Sequence, residues 1–211
     1  MKIPTANEGK ARGRPRSFDR DAALERAMQV FWRQGYDATS IHDLTKAMDI
    51  NPPSLYAAFG DKEQLFLEAV ERYELGLGRT LPAILNAAPT ARAGVDLLLQ
   101  TVAREFTNRS HPPGCMVIIA ATNCTAESAH IQAALAKRRR SGEANVRARI
   151  ERGIEERELP ADTDAGALAK FFATVVEGMS IQARDGASRK SLLATAAAAM
   201  RAWPDGNARK K

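Results

Sequence analysis

Only two cysteines, Cys115 and Cys124, occur among 211 residues, which excludes a disulfide scaffold and leaves free thiols in a reducing cytoplasm as the expectation. No apolar run approaches the roughly 18 residues that a membrane span requires. The first twenty residues are basic but lack the apolar stretch of a secretory signal. A cytoplasmic chain with no membrane partner is therefore expected. Runs of β-branched residues are scarce and alanine is abundant, so the expected fold class is all-α. The length allows one large domain, or a small domain followed by a larger one.

Charge is unevenly placed. Residues 1–20 hold Lys2, Lys10, Arg12, Arg14, Arg16 and Arg20 against Glu8 and Asp19, and residues 205–211 hold Arg209, Lys210 and Lys211 against Asp205. Those two ends account for the whole net charge of +6. An excess confined to polar, Gly- and Pro-punctuated ends reads as flexible arms, here 1–17 and 205–211, for an anionic partner, nucleic acid before membrane. Ordinary solubilising termini would look similar on charge alone. Arg14 and Arg16 of "GRPR" favour DNA, because an extended Arg-rich segment fits a narrow minor groove.

Helical signals recur through residues 18–75. Leu24, Ala27, Met28 and Phe31 follow the i, i+3, i+4, i+7 spacing, with Asp19 or Asp21 to start the helix and Gly35 to end it. In "YDATSIHDLTKAMDI", Thr39 or Ser40 is the N-cap, Asp43 the capping acid, and Ile41, Leu44, Ala47 and Met48 the buried stripe. Next, "INPPSLYAAFGDKEQLF" opens a short helix with two prolines, which lack the N–H that a first turn leaves unpaired, behind an Asn51 cap. Leu55 and Phe59 point inward. Asp61 then caps a longer helix carrying Leu65, Phe66, Ala69, Val70 and Tyr73. Two short helices joined by a tight turn and braced by longer ones make a helix-turn-helix.

Over residues 15 to 75 the chain resembles the TetR-type transcriptional regulators. Phe31, Gly35-Tyr36, Thr39-Ser40, Ile41, Leu44, Ala47, Ile50, Ser54-Leu55-Tyr56, Phe59, Lys62, Leu65 and Phe66 carry the resemblance. It implies that residues 52–59 form a recognition helix whose first turns reach a major groove of double-stranded operator DNA. Its exposed end would present Asn51, Pro52, Pro53, Ser54 and Tyr56. Tyr56 and Lys62 match family positions that usually hold phosphate, and Thr39 and Ser40 stand where they can donate to it. Pro53 offers a flat surface to a thymine methyl, or else only a rigid helix start. Between Asp21 and Glu74, five basic residues face ten acidic ones, so the arm with Arg14 and Arg16 must help against a polyanion.

Residues 76–204 read as a helical effector-binding and dimerisation region. A helix near 91–107 bears Val95, Leu98, Leu99, Val102 and Phe106, and "RSHPPG" breaks it. "CMVIIAATNC" reads as one buried helix, which would put its two cysteines about 13 Å apart, beyond disulfide reach. A long helix follows from about Ala129 to Glu158, and then one with Leu168, Phe171, Phe172, Val175, Val176 and Met179. The last runs from Ser188 to Trp203. By resemblance the final two pair across a two-fold axis in a homodimer. Also by resemblance, a small-molecule effector would enter among Phe106, Met116, Ile119, Asn123, Phe171 and Met179 and release a repressor from its palindromic operator.

Other readings are weaker. His111, Cys115, Cys124 and His130 match no common metal-ligand spacing, and no orienting residue or glycine-rich elbow completes a Cys–His hydrolase. No cofactor, metal or catalysis is expected. A thiol-oxidation sensor through Cys115 or Cys124 remains an alternative to packing cysteines. A small-molecule-binding protein or enzyme with a relic helix-turn-helix is another, opposed by Thr39, Tyr56 and Lys62 standing together. "KRRR" at 137–140 reads as a solvated face, with contact to an acidic partner or an effector as the alternative.

Overall fold

A computed structural model describes residues 18–204, and every regular element among them is helical. The first four helices are α1 (Arg20–Gln34), α2 (Ile41–Met48), α3 (Pro52–Phe59) and α4 (Lys62–Tyr73). Each starts on a side chain that accepts first-turn N–H groups. Asp19 takes those of Asp21 and Ala22, Ser40 that of Asp43, Asn51 that of Ser54, and Asp61 that of Gln64. Ser40 and Asp43 complete a reciprocal capping box, which satisfies two orphan donors at once. The stops are equally local. Gly35 and Gly60 take φ of 85° and 78°, and Asp49 sits left-handed at 56°, where glycine and Asp are the residues that tolerate it.

Apolar faces cut by these boundaries meet in one core. Phe31 and Phe66 pack edge to face with centroids 5.0 Å apart, and Tyr36 adds a second edge contact to Phe66 at 5.0 Å. Leu44, Met48, Leu55, Phe59 and Leu65 fill the space between the four helices, each almost fully buried. α3 is thus held on its inner side by Leu55 and Phe59, with Ala58 partly buried beside them.

Behind α4 the chain is less regular. A π-helical turn, Glu74–Gly78, leads into α5 (Arg79–Ala87), a helix for which the sequence carried no clear signal. The widened turn lies just ahead of Pro82, which has no N–H to give to a helical ladder. Then come α6 (Ala91–Glu105), α7 (Met116–Ile119), α8 (Ala129–Glu155), α9 (Ala165–Arg184) and α10 (Arg189–Ala199), closed by a 3-10 turn at Met200–Ala202. α8 lies along α9, and α6 is packed against α5 and α10. Arg149 of α8 is buried and pairs with Glu158 at 3.3 Å, while Glu158 accepts the N–H of Ala91 and so ties α8 to the start of α6.

"CMVIIAATNC" is not one helix. Only Met116–Ile119 is helical, and Cys115 precedes it in extended backbone. Gly114 enters at φ 82°, and a Cβ there would stand 2.7 Å from the Ser180 carbonyl oxygen, so the strap formed by residues 114–128 presses directly on α9. After Ile119 the chain turns, because the carbonyl of Ala120 is taken by the N–H of Tyr36 at 2.7 Å. A tertiary contact overrides the apolar pattern, and the two cysteines no longer share an axis.

Candidate nucleic-acid interface and regulatory cavity

On α3 the exposed residues are those expected from the sequence: Asn51, Pro52, Pro53 and Tyr56 are open to solvent, and Ser54 is half-buried. Tyr56 keeps 50 % of its surface exposed, unusual for a large ring. Asn51 spends its side-chain oxygen on the N–H of Ser54 at 2.9 Å, leaving its amide NH2 as the end that can donate outward. Lys62 at the start of α4 lies 4.5 Å above the Tyr36 ring, a cation–π seat. Burial lowers the Lys62 pKa, partly offset by the charge of Asp37.

The start of α2 differs in detail from the expectation. Thr39 is 1 % exposed and donates its hydroxyl to the Gly35 carbonyl at 2.6 Å, so it braces the α1–α2 turn rather than facing solvent. Ser40 is exposed, but its hydroxyl is engaged with Asp43. What this end of α2 holds free for an anion is chiefly backbone N–H. Arg14 and Arg16 lie outside the described residues.

The acidic excess of this unit is largely engaged. Arg20, which the charge pattern grouped with the basic arm, instead bonds Glu68 at 2.7 Å and lies 4.4 Å from the Phe59 ring centroid. Glu25 holds Arg72 at 2.8 Å, Glu74 holds Arg138 at 3.0 Å, and Glu63 meets His130 at 2.9 Å. The carboxylates of Asp43 and Asp61 cap helices.

One segment joins the two regions. Residues 114–128 carry Ala120, which accepts from Tyr36, and Thr125, whose N–H donates to Asp37 at 2.6 Å. Bonds from the Ser128 side chain and the Thr125 backbone hold the Asp37 carboxyl below its usual range. At its other end the same strap is cavity wall: Cys115, Val117 and Ile118 border a cavity of about 560 Å³.

That cavity lies among α4, the π-helical turn, α5, α6, α8 and α9, with Leu77, Leu81, Val95, Leu98, Phe172 and Val176 along its walls. Of the six residues expected to line a ligand site, Phe106 does so. Met116, Ile119 and Met179 are buried in packing elsewhere, Asn123 is exposed in the turn after α7, and Phe171 is 40 % exposed on α9 while its neighbour Phe172 takes the cavity position. Tyr73 and Cys115 are lining residues that sequence reasoning missed, and Arg139 comes from the run for which effector contact was the alternative. Only the irregular stretch from Glu74 to Pro82 hinted that helices part there. "KRRR" is likewise more than a solvated face, since Arg138 holds Glu74 and Arg139 donates to the Val117 carbonyl at 2.8 Å.

Tyr73 donates to the Cys115 sulfur at 3.2 Å, and the N–H of Cys115 donates to Ser180 Oγ at 2.8 Å. Desolvation, then the neighbouring Cys115, pushes the Tyr73 pKa well up. Burial likewise raises both thiols, away from the thiolate that redox chemistry uses. The histidines do not converge on them: His111 stacks on Trp32 at 4.7 Å, and His130 pairs with Glu63.

A capped, outward-facing short helix on a three-helix support, followed by a helical region around a cavity, defines a helix-turn-helix transcriptional regulator. Residues 23–69 match the family model for bacterial regulatory proteins of the tetR family, and residues 92–202 match the tetracyclin repressor-like C-terminal domain. The chain belongs to the TetR family. It is 34 % identical to the HTH-type transcriptional repressor ComR of Escherichia coli (strain K12), covering 93 % of this chain and 94 % of that one. The repressor BdcR of the same organism is 32 % identical over 92 % and 94 %. A solved structure of a cysteine mutant of the TetR-family regulator CifR, complexed with 26-bp double-strand operator DNA, is 49 % identical. It covers 91 % of this chain and 100 % of that one, with a TM-score of 0.89.

Proposed function

We propose that this regulator is a cytoplasmic homodimeric repressor that grips a palindromic operator and leaves it when a small molecule fills the cavity. The observation that carries the reading is the exposed end of α3, where Asn51, Pro52, Pro53 and Tyr56 stand clear of a rigid support. In this reading Ser54 and the two prolines meet base edges, and Tyr56 and Lys62 meet phosphate. The N-terminus of α2 meets phosphate through its backbone N–H groups, with Ser40 joining when its hydroxyl leaves Asp43. Arg14 and Arg16 follow the backbone into the adjacent minor groove.

A partner subunit is supported by α9 and α10. Phe171 and Ile181 are 40 % and 48 % exposed on α9, nothing stands within 4 Å of a Cβ at Gly178, and Ala194, Ala197 and Ala198 are open on α10. Small and apolar residues at helical spacing suit the close packing of two helices from each subunit.

The strap supports effector release. A ligand against Cys115, Val117 and Ile118 acts at one end of a segment whose other end holds Tyr36 and Asp37 beside α2. If the ligand prefers the strap position in which the two α3 helices are misplaced, operator affinity falls by that preference. Footprinting tests the core of the proposal. Protection of two half-sites with centres about 34–36 Å apart, or somewhat more, is expected, and a single non-symmetric half-site at saturation overturns it.

A further inference from the structure

The cavity's chemistry narrows what can enter it. We propose that it takes an uncharged, largely apolar molecule with one hydrogen-bond acceptor, whose oxygen replaces the Cys115 sulfur as the partner of the Tyr73 hydroxyl. This rests on the effector reading above and adds the class of ligand. At about 560 Å³ the cavity falls in the range that small-molecule sites occupy, and Leu77, Leu81, Val95, Leu98, Phe106 and Val176 give it apolar walls.

Ionised groups border the space but offer little to a charged ligand. Lys137, Arg138 and Arg139 are balanced in number by Glu74, Glu143 and Glu177. Arg138 is engaged with Glu74, Glu143 with Lys170, and Arg139 with the Val117 carbonyl. Lys137 is exposed, where a pairing contributes little, and Glu177 would repel an anion. A carboxylate entering the cavity would have to draw Arg139 off the Val117 carbonyl and lie near Glu177, and an ammonium would find Glu177 alone beside Lys137, Arg138 and Arg139, so either ion would lose its water for a poorly matched partner.

The Tyr73 hydroxyl is different. Its acceptor is a thiol sulfur at 3.2 Å, a weak acceptor that a carbonyl or ether oxygen outcompetes. Burial keeps both groups in their neutral forms, so the site supplies one O–H donor and no charge. Tyr73 is also the last residue of α4, and its ring packs edge to face on Trp32 of α1 at 4.8 Å. A ligand that draws Tyr73 toward itself therefore acts on α1 directly as well as through the strap.

Four small probes of similar size separate the possibilities: acetophenone, ethylbenzene, benzoate and benzylammonium, each titrated into the full chain by calorimetry. Acetophenone is expected to bind at least about 10-fold tighter than either ion, from the cost of burying an unpaired charge. Tyr73→Phe is expected to weaken acetophenone about 3- to 10-fold, the worth of one hydrogen bond, and to leave ethylbenzene unchanged. Retained ethylbenzene binding shows that the variant has folded with its cavity intact. Benzoate or benzylammonium binding as tightly as acetophenone, or a Tyr73→Phe variant that holds acetophenone undiminished, overturns the proposal. Operator binding is scored in the same samples. Tight acetophenone binding with the operator still held leaves the ligand class standing and removes the release reading, whereas release by a preferred charged probe does the reverse.

Discussion

In residues 18–73 every helix begins on a side-chain cap, whereas beyond them α6, α9 and α10 are capped but α5, α7 and α8, like the π-helical turn, are not. The first region closes tightly over Phe31, Leu44, Leu55 and Phe66, all unexposed. The second contains a π-helical turn, an internal proline and a cavity. The contrast teaches where each region needs precision. A short helix that reads base edges works only if its support is rigid, so local and tertiary signals are made to agree there. A region that surrounds a ligand needs surfaces that can part, and strongly self-determined helices would work against that.

Paired substitutions can break this contrast. Phe66→Ala is expected to destabilise by about 3–5 kcal/mol, the usual cost of emptying a full aromatic site. Leu81→Ala is expected to cost only about 1 kcal/mol, since Leu81 is half-buried beside space that is already open. Urea unfolding followed by circular dichroism measures both, and equal costs would erase the distinction.

The next largest effect concerns DNA alone. Deleting residues 1–16 removes Lys2, Lys10, Arg12, Arg14 and Arg16 with Glu8. It should make the plot of log affinity against log salt shallower by roughly two to four, at about 0.9 per lost phosphate contact. Thermal unfolding should be unchanged. A constant slope would mean that the folded unit alone carries the electrostatics.

Smallest is the cap of α3. Asn51→Ala should cost about 1 kcal/mol of stability together with operator affinity. Asn51→Asp should keep the cap and the stability yet weaken the operator complex, because a carboxylate would then face phosphate. If both variants bind the operator like the parent chain in a mobility-shift titration, the cap is purely structural and the contact does not exist.

How far the fold was legible follows the same contrast. Asn51, Pro52 and Gly60 mark the ends of α3 by mechanisms that depend only on neighbours in sequence, and Ser40 with Asp43 does the same for α2. The strap after Cys115 was not legible, because the turn after Ile119 answers to Tyr36, some eighty positions earlier in the chain. In α9 the apolar stripe is broad, and Phe171 and Phe172 are equal in sequence terms. A helix rotates neighbours by about 100°, from 3.6 residues per turn, and only packing selects Phe172 for the cavity. Thr39 and Ser40 are equal candidates for the cap of α2 in sequence terms; Ser40 takes it, and the Thr39 hydroxyl turns instead to the Gly35 carbonyl.

The strap also sets how this protein can be cut and recombined. A chimera joined after Tyr73 would graft a new regulatory half onto α1–α4 while discarding the carbonyl that satisfies Tyr36, the N–H that satisfies Asp37 and the His111 ring against Trp32. The helix-turn-helix is contiguous in sequence but not autonomous in hydrogen bonding. A transplantable module would have to carry residues 111–128 along with residues 18–73, and its seam would be a surface rather than a point in the chain.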